Sequence, residues 1–569
     1  MKDTKKRIAL LGAGPSGLFM YKRLVESGIS NLEIEIFERK QQLGAGMPYS
    51  VEGANREHIT NVSGNEIPTI VTSIQQWINE VDGNVLEPYN ITPQNFNDYK
   101  VLPRLLFGTY LEDQFKLLQA KAQKLGITTV LHKGIEVTDI VDKPELDQVL
   151  VEFEGSGIEA FDHVVICTGH NWPKTNEGKV DGYFDSPYPP AKLALKINHP
   201  IAIRGSSLTA IDAIRTLARS NGSFTLNKAG MLDFEPAKGS EDFRMVMHSR
   251  NGLLPAVRFH LEDSHLQNSS LLTPDEIEQN ISKNDGFLSL DFIFEKDFKD
   301  LFKGKDPDFY AYIKDMTIEE FVDDAMGFRE NLNPFALLRL EYEEAEKSIK
   351  RHKSIYWKEL LAVLSFAMNY PAKYFSAEDM LRLQKVLMPL ISVVIAFVPQ
   401  TSCRELLALH HAGRLDIVAV GQESDVEIND NGGITYHFTG DDSQHNSVRY
   451  KTFVDCVGQP HLAYEDFPFK SLLDAKAVSP AKLRFRSADN GKTTLKSGNK
   501  KVKKEVDDYY LEVPGISIND NFQVVNLQGK ESDRIFIMAV PYIGGFNPDY
   551  SGLDFSEAAS LKILNVICN

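Results

Sequence analysis

The sequence has few cysteines, and none of them form a close pair. Only Cys167, Cys403, Cys456 and Cys568 are present among 569 residues. A CxxC redox centre or a zinc knuckle needs two cysteines a few positions apart, so the sequence excludes both. Cys167 and Cys456 lie in apolar segments and are expected to be inert core residues. With no secretory leader before the first apolar segment, we expect a reduced, cytoplasmic protein.

The sequence also lacks an excess of positive charge and a long apolar run. Its formal net charge of −17 argues against a nucleic-acid partner, which needs clustered lysine and arginine. A basic stretch, Lys496–Lys504, falls within a polar segment, Ser487–Asp507, that we expect to be a surface loop. The most apolar segment, Leu387–Val398, contains Pro389 and is too short to span a bilayer, so it predicts a buried helix. We therefore expect no nucleic-acid and no membrane partner.

The most informative segment present is a dinucleotide-binding unit over residues 6–40. An apolar strand leads into the motif GAGPSG at residues 12–17, a helical pattern follows, and a second strand ends at Glu38. Gly12 permits the tight turn, Gly14 lets the backbone approach a pyrophosphate, and Gly17 lets the helix pack close to the strand. Glu38 lies where a carboxylate can hold ribose hydroxyls. The unit alone does not choose between FAD and NAD, although its place in the chain favours FAD.

Three polar residues after this unit are candidates for a flavin site. His58 and Asn61 follow the glycine loop Gly44–Ser50 and are expected near a bound ring, where we assign them to catalysis. A hydrogen-bonded loop histidine is the alternative for His58. Arg104 precedes a helix expected over residues 105–125, and it either contacts a phosphate or forms an ordinary surface ion pair.

A second glycine turn follows the strand Pro200–Arg204. Gly205 occupies the first glycine position, but Ser207 stands where the second glycine is expected. A serine there narrows the approach of the backbone to a pyrophosphate. The next strand ends in serine and Arg250 instead of an acid, which suits the 2′-phosphate of NADP. The alternative for Arg250 is an ordinary surface arginine.

The whole pattern predicts an α/β protein with two dinucleotide-binding, Rossmann-like domains and a helical insertion. Apolar strands end at Thr168–Gly169 and at Gly458, and a strand, loop and helix over residues 534–566 are expected to complete the first domain. Amphipathic patterns predict helices over 317–331, 333–351 and 355–368. The expected divisions are FAD-binding 1–195 and 451–569, NAD(P)-binding 196–264 and 402–450, and insertion 265–401.

Several of these motifs together resemble a flavoprotein family. The 12–17 turn, the GAGMPYS loop at residues 44–50, the turn after Gly205 and the stretch SRNGLLP at residues 249–255 are similar to FAD/NAD(P)-binding proteins related to flavin-dependent N-hydroxylating monooxygenases. That group includes enzymes similar to aspartate N-monooxygenases and a bacterial urate hydroxylase. The resemblance implies FAD and NADPH as cofactors. The cofactor residues assigned in this way or from the motifs are Gly12, Gly14, Pro15, Ser16, Gly17, Glu38, Arg39, Gly46, Met47, Asn61, Arg104, Val137, Thr168, Gly169, Gly205, Ser206, Ser207, Arg250, Ser551 and Leu553.

The resemblance implies an NADPH-dependent monooxygenase with O₂ and a small polar molecule as its partners. NADPH would reduce FAD, O₂ would add to the reduced ring, and the resulting flavin hydroperoxide would hydroxylate an amino acid or related amine. The change to Ser207 leaves open a flavin oxidase or dehydrogenase that does not use NADPH. A third reading is a non-catalytic flavin-binding sensor whose insertion is an interaction surface.

Overall fold

The computed structural model describes residues 5–29, 31–169, 172–261, 271–369, 371–440, 444–459, 462–548 and 552–568. The strands among them are, in chain order, β1 Lys6–Leu11, β2 Leu32–Glu38, β3 Ile59–Ser63, β4 Val101–Pro103, β5 Thr128–Lys133, β6 Val137–Lys143, β7 Gln148–Phe153, β8 Gly157–Phe161, β9 His163–Ile166, β10 Tyr183–Phe184, β11 Pro200–Arg204, β12 Gly222–Leu226, β13 Leu232–Pro236, β14 Arg244–Ser249, β15 Leu415–Ala419, β16 Asp425–Ile428, β17 Ile434–Thr439, β18 His445–Tyr450, β19 Thr452–Asp455, β20 Pro480–Arg484, β21 Val502–Glu505, β22 Asp508–Ile516, β23 Gln523–Val525 and β24 Glu531–Ile537. The α-helices are α1 Pro15–Glu26, α2 Ile74–Glu80, α3 Gly83–Leu86, α4 Arg104–Lys124, α5 Leu208–Asn221, α6 Pro274–Lys283, α7 Leu290–Phe294, α8 Asp300–Lys305, α9 Pro307–Ile313, α10 Ile318–Glu330, α11 Pro334–Arg351, α12 Tyr356–Ala367, α13 Ala377–Arg382, α14 Met388–Val394, α15 Gln400–His411, α16 Lys470–Asp474, α17 Ala488–Lys496 and α18 Gly552–Cys568.

The first domain is built on a sheet in the order β23-β24-β9-β1-β2-β5. All of its neighbouring strands are parallel except β23 and β24. Strand β1 is central and buried, as its continuous apolar run predicts. Helix α1 starts with Pro15 in its first turn, a position that suits the fixed φ angle of proline. The C-terminal helix α18 packs against α1, so the end of the chain completes the first domain as predicted.

The second domain is built on a fully parallel sheet in the order β10-β19-β11-β14-β15. This order corrects two of the expected boundaries. Strand β10 lies before residue 195 and β19 lies after residue 450, yet both belong to the second sheet. The chain therefore passes from the first sheet to the second between Ile166 and Tyr183, and it leaves the second sheet for the last time after Asp455. Gly169 and Gly458 closely follow these two strand ends.

The insertion is helical, and its three amphipathic helices lie where the sequence predicts them, as α10, α11 and α12. Helix α10 begins with a capping box in which Thr317 and Glu320 each satisfy a backbone N–H of the other. The apolar residues of most insertion helices join the buried core of the first domain. Helix α11 contributes Phe335 and Leu338 to the core of the second domain. The insertion is therefore packed against both dinucleotide-binding domains.

One expected loop is wrong. The segment Ser487–Asp507 contains helix α17 and strand β21, which joins the antiparallel sheet β20-β22-β21. Ser487 caps the helix by accepting a hydrogen bond from the N–H of Asn490, and Gly491 is buried against Tyr509. The backbone N–H of Ser487 and the side-chain amide of Asn490 also donate to the distant Glu378, and these contacts stabilise a polar sequence that has little pattern of its own. Among the described residues, no helix is both long and apolar enough to cross a membrane.

The start of α1 is packed tightly enough to make a stability prediction. A Cβ atom on Gly17 would overlap the carbonyl oxygen of Gly12. We expect Gly17→Ala to lower the free energy of unfolding by about 1–3 kcal/mol, because the helix must move away from the turn. The measurement is urea unfolding, together with the flavin content of the purified protein.

Gly327→Ala is the matched control, since a Cβ there meets nothing within 4 Å on helix α10. This control should raise stability by about 0.5–1 kcal/mol. Equal effects of the two substitutions would contradict the close packing of α1 on the turn.

Candidate functional site

The two glycine turns of the chain have the same backbone geometry. Gly12 has a φ of +105° and Gly205 a φ of +106°, a region that favours glycine. A Cβ on Gly12 would lie 2.7 Å from the carbonyl oxygen of Cys167, and one on Gly205 would lie 2.8 Å from that of Cys456. In both domains, therefore, the first glycine lets the turn pass over the strand end at which the chain leaves the sheet.

The strand register shows which residues correspond at the two sites. The first glycine of each turn donates its N–H to the neighbouring strand, at the carbonyl of Phe37 (2.8 Å) in one domain and of His248 (2.7 Å) in the other. The residue after Phe37 is Glu38, and the residue after His248 is Ser249. Ser249 is therefore the counterpart of Glu38, and Arg250 follows it by one position. This corrects the expected equivalence of Arg250 and Glu38.

A cleft of about 310 Å³ opens above the first turn. It contains residues from β1, β2, the glycine loop, the end of β9 and the start of α18. The predicted cofactor residues that line it are Gly12, Gly14, Pro15, Ser16, Glu38, Arg39, Gly46, Met47, Val137, Thr168, Gly169 and Leu553. Gly17 is buried beneath the turn and does not line the cleft. Ser551 lies outside the described residues.

The cleft also includes residues that were not predicted from the sequence. Four of them, Lys40, Tyr49, Glu136 and Ser556, lie within three residues of a predicted position and could have been found by extending the motifs. The others come from segments far away in the chain, and only the fold brings them to the turn. In chain order the residues that were not predicted include Lys40, Tyr49, Glu136, Phe469, Met538, Tyr542 and Ser556.

The polar groups of the cleft fit a dinucleotide with free ribose hydroxyls. The Glu38 carboxylate is buried and accepts the N–H groups of Ala13 (2.9 Å) and Lys40 (3.0 Å), which fix its position. The hydroxyl Oγ of Thr168 is buried at the cleft without a hydrogen-bond partner. Buried hydroxyls normally have a partner, so this one is available to a ligand. A Cβ on Gly14 would come within 3.3 Å of Gly46, so the cradle is as narrow as a pyrophosphate site requires.

His58 lies away from this cleft, in the interface between the two domains. Its side chain is fully buried. Its Nδ1 accepts the N–H of Asn55 at 3.1 Å, so Nε2 carries the proton. That nitrogen lies 3.1 Å from the hydroxyl of Thr216 and 3.2 Å from the carbonyl of Asp212, both on α5. Burial lowers the pKa of His58 and favours the neutral ring. The structure thus shows the hydrogen-bonded alternative for His58, and its catalytic assignment stays a prediction.

Arg104 also joins the two domains. Its Nη1 donates to Oδ2 of Asp212 at 2.6 Å, and Tyr188 donates its hydroxyl to the same oxygen at 2.7 Å. Burial alone would raise the pKa of the Asp212 carboxyl, but the Arg104 guanidinium holds it below its usual range. The ion-pair alternative for Arg104 therefore describes this structure, although the pair is buried and not at the surface.

Asn61 is half-buried and lies on β3, outside the cleft. Its backbone carbonyl accepts a hydrogen bond from Arg258, which also forms a buried ion pair with Glu66. The structure therefore brings neither expected catalytic residue to the first turn.

The second turn is open where a phosphate would approach it. Ser207 has φ −90° and ψ −165°, close to the −73° and −166° of Gly14, and its side chain is exposed. The serine therefore leaves the backbone of the turn unchanged. The hydroxyl of Ser206 already has a partner within the protein, because it donates a hydrogen bond to the carbonyl of Leu253 at 2.7 Å. Arg250 is exposed, and the hydroxyl of Ser249 is buried without a partner.

Two family models match parts of the chain. Residues 9–171 match a model described as FAD-NAD(P)-binding, and residues 273–395 match one described as a YdhS-like middle domain. The first match covers the glycine turn and the part of the cleft that residues 11–169 line. The predicted α/β fold and its FAD/NAD(P)-binding domain are therefore confirmed, and the helical insertion contains the second matched domain.

Individual proteins are similar to longer or shorter parts of the chain. The Escherichia coli (strain K12) protein named "Uncharacterized protein YdhS" is 28% identical over 469 residues, which are 82% of this chain and 86% of that protein. Flavin-containing monooxygenase 5 of Cavia porcellus is 23% identical over 177 residues, 30% of this chain and 28% of that protein. The structure of L-lysine 6-monooxygenase from Pseudomonas syringae matches with a TM-score of 0.48 at 12% identity, covering 98% of both chains.

The placement of Arg104 makes a testable prediction. Arg104→Met leaves the buried Asp212 carboxylate without its cation, so we expect the free energy of unfolding at pH 7 to fall by about 3–5 kcal/mol. Flavin content should stay at the wild-type level, because Arg104 does not line the cleft. The measurements are urea unfolding and the visible absorbance of the purified protein.

The pH dependence of this effect follows from the lowered pKa of Asp212. A carboxyl group whose pKa is lowered in the folded state stabilises the protein at pH values above its pKa in the unfolded chain, which is about 3.9. This stabilisation is lost as the pH falls through the pKa of the folded state. The difference between Arg104→Met and wild type should therefore shrink below about pH 4. Arg339→Met, at an exposed position on α11, is the control and should be neutral. Loss of flavin at unchanged stability would contradict the structural role of Arg104.

Proposed function

We propose that the protein is a FAD-dependent oxidoreductase that uses NADPH and O₂ to hydroxylate a small polar substrate such as an amine. The observation that carries this proposal is the pair of matching glycine turns with different residues at the ribose position. One turn has the carboxylate of Glu38, and the other has Ser249 followed by Arg250. A protein with one cofactor would need only one of these sites.

Because of Glu38, we assign FAD to the first turn. A carboxylate accepts hydrogen bonds from ribose hydroxyls and repels the additional phosphate of NADPH. The N-terminus of α1 faces the same cleft and offers free backbone N–H groups to the pyrophosphate. Thr168 adds a hydroxyl on the opposite wall of the cleft. Together these groups suit a dinucleotide without a 2′-phosphate.

Because of Ser249 and Arg250, we assign NADPH to the second turn. The serine is small and uncharged, so it leaves room where Glu38 would exclude a phosphate. The guanidinium of Arg250 is exposed one position further and matches a phosphate in charge and geometry. The hydroxyl of Ser207 points to solvent at the start of α5, where it is available to the pyrophosphate. The serine at this position is therefore compatible with NADPH.

The protein's own part in the reaction is to bind and orient. FAD, when bound, supplies the redox chemistry by accepting hydride and reacting with O₂. The residues described around the cleft include no histidine, and burial raises the pKa of the Cys167 thiol far above neutrality. These lining residues therefore include no histidine and no ionised thiol for acid–base catalysis, and the proposal requires none because FAD supplies the redox chemistry. The proposed role of His58 and Arg104 is to hold the two cofactor domains together.

The proposal predicts that NADPH reduces the bound flavin. Purified protein should show the absorbance of oxidised flavin, and anaerobic NADPH should bleach it, whereas NADH should do so much more slowly. Under air, a substrate amine should increase NADPH consumption and yield a product heavier by one oxygen atom. A flavin that stays oxidised with NADPH would contradict the proposal and favour an oxidase or a sensor.

The substitution Arg250→Ser distinguishes a specific loss of NADPH binding from a general loss of activity. Because one charge-assisted phosphate contact is removed, reduction by NADPH should require about tenfold more cofactor, while reduction by NADH should be unchanged. Arg449→Ser, at an exposed position on β18, is the matched control and should affect neither cofactor. Equal losses with NADPH and NADH would contradict the assignment of Arg250 to the 2′-phosphate site.

A further inference from the structure

A second cavity, of about 600 Å³, lies between the helical insertion and the first domain. Its walls come from α6, the end of α12, the segment around residue 520 and helix α18. Most of the lining is apolar, with Ile277, Ile293 and Phe555 among its members. This volume is in the range of small-molecule sites, which combine apolar walls with a few polar groups.

The cavity is separate from the FAD cleft, although both use α18. Leu553 and Ser556 of that helix line the cleft, whereas Phe555 and Ala558 line the cavity. With 3.6 residues per turn, the two pairs lie on different faces of the helix. The two lining sets have no residue in common. A ligand in the cavity would therefore leave the dinucleotide site open.

The charges of the lining favour a cation over an anion. The described lining has three carboxylates, those of Glu278, Asp297 and Asp520, and one ammonium group, that of Lys562. The Asp520 carboxylate is already balanced, because it forms an ion pair with Lys373. Lys562 has an interaction of its own within the protein, so a ligand anion is not needed to satisfy it. A cationic ligand therefore complements this lining better than an anionic one.

Asp297 is the carboxylate that such a cation would balance. Glu278 is exposed to solvent, whereas Asp297 is only 2% exposed. The Oδ1 atom of Asp297 accepts the N–H of Leu272 at 3.0 Å, and no residue in the described part of the chain forms an ion pair with this carboxylate. Burial raises the pKa of Asp297 to about 7, because a buried charge without a cation is costly. A positively charged ligand would stabilise the ionised carboxylate.

Two further features point to a ligand in this cavity. Asp297 lies on a π-helical turn, Glu295–Lys299, and such turns are rare and frequent at functional sites. Asn547 is 2% exposed, and its Oδ1 is buried without a hydrogen-bond partner. Buried amide oxygens normally accept a hydrogen bond, so this one is available to a ligand. The cavity therefore offers two buried acceptors within apolar walls.

We propose that this cavity binds a primary amine with a large apolar body, as in a long-chain alkylamine. The ammonium group of the ligand faces Asp297, and the hydrocarbon chain packs along Ile277 and Phe555. Asn547 offers a second acceptor in the same cavity. A fatty acid would bring another negative charge to Asp297, and an alcohol would leave the carboxylate without a cation. The inference concerns binding alone and does not depend on the proposed monooxygenase activity.

The test uses the full-length flavin-loaded protein without NADPH, and isothermal titration calorimetry at pH 7. The probes are octylamine, octanol, octanoate and butylamine. We expect octylamine to bind at least about tenfold more tightly than octanol or octanoate, because only the amine balances Asp297. It should also bind at least about tenfold more tightly than butylamine, because its longer chain buries more methylene groups. Undetectable binding of octylamine, or equal binding of octylamine and octanol, would overturn the proposal.

Asp297→Asn tests the site of the ammonium group. This substitution should reduce the affinity for octylamine to that for octanol and leave the affinity for octanol unchanged. Because it removes a buried charge, the folded protein should be retained, and thermal unfolding is measured to verify this. Asp323→Asn, the same change at an exposed position on α10, is the matched control and should have no effect. Octylamine binding that Asp297→Asn leaves unchanged would contradict the proposal.

Ala558→Phe tests the position of the apolar chain without changing Asp297. The larger side chain enters the cavity from α18, so octylamine and octanol should both bind at least about tenfold more weakly. Flavin content should stay at the wild-type level, since Ala558 does not line the FAD cleft. Ala336→Phe, at an exposed position on α11, is the control. Unchanged octylamine binding in Ala558→Phe would place the amine elsewhere and refute the assignment of this cavity.

Discussion

Both dinucleotide-binding domains depend on one close contact, in which the first glycine of a turn passes over the carbonyl group of a crossing strand. Gly12 makes this contact with Cys167, and Gly205 makes it with Cys456. Any side chain would push the turn away from the strand and close the path by which the backbone reaches a pyrophosphate. The contact also joins each turn to the strand end at which the chain changes domain. The same constraint therefore sets the cofactor sites and the domain connections.

The relation between the two domains depends on a second, electrostatic constraint. Asp212 of the second domain contacts Arg104 of the first domain and Tyr188, which lies between β10 and β11 of the second domain. His58 packs beside it against the same helix, α5, in its neutral form. Separating the buried Asp212 carboxylate from Arg104 and Tyr188 would leave its charge uncompensated, which is costly. The network therefore favours one arrangement of the two turns. The proposed hydride transfer between two bound cofactors would require the two turns to be held in a fixed arrangement.

Features with local causes could be predicted from the sequence, and features with distant causes could not. The two glycine turns, the strand that ends at Glu38 and the amphipathic helices α10 to α12 follow from short-range patterns and lie where they were predicted. The ribose contact of Glu38 stays a prediction. His58 was expected near a cofactor because it follows a glycine loop. Arg104 was a candidate for a phosphate contact because it precedes a helix. Nothing local shows that both residues contact α5. Ser249 was overlooked as the counterpart of Glu38 because only the register of β11 and β14 reveals it. The 487–507 segment owes its helix and strand to partners elsewhere in the chain.

Hydrogen–deuterium exchange can show whether the first turn binds FAD and the second binds NADPH. Flavin-loaded protein is compared with and without NADP⁺, and the exchange of backbone amides is followed in both turns. We expect NADP⁺ to slow exchange in residues 205–210 and to leave exchange in residues 12–17 unchanged, which would support this assignment of the two turns. Slower exchange in residues 12–17, or release of the flavin by NADP⁺, would contradict it.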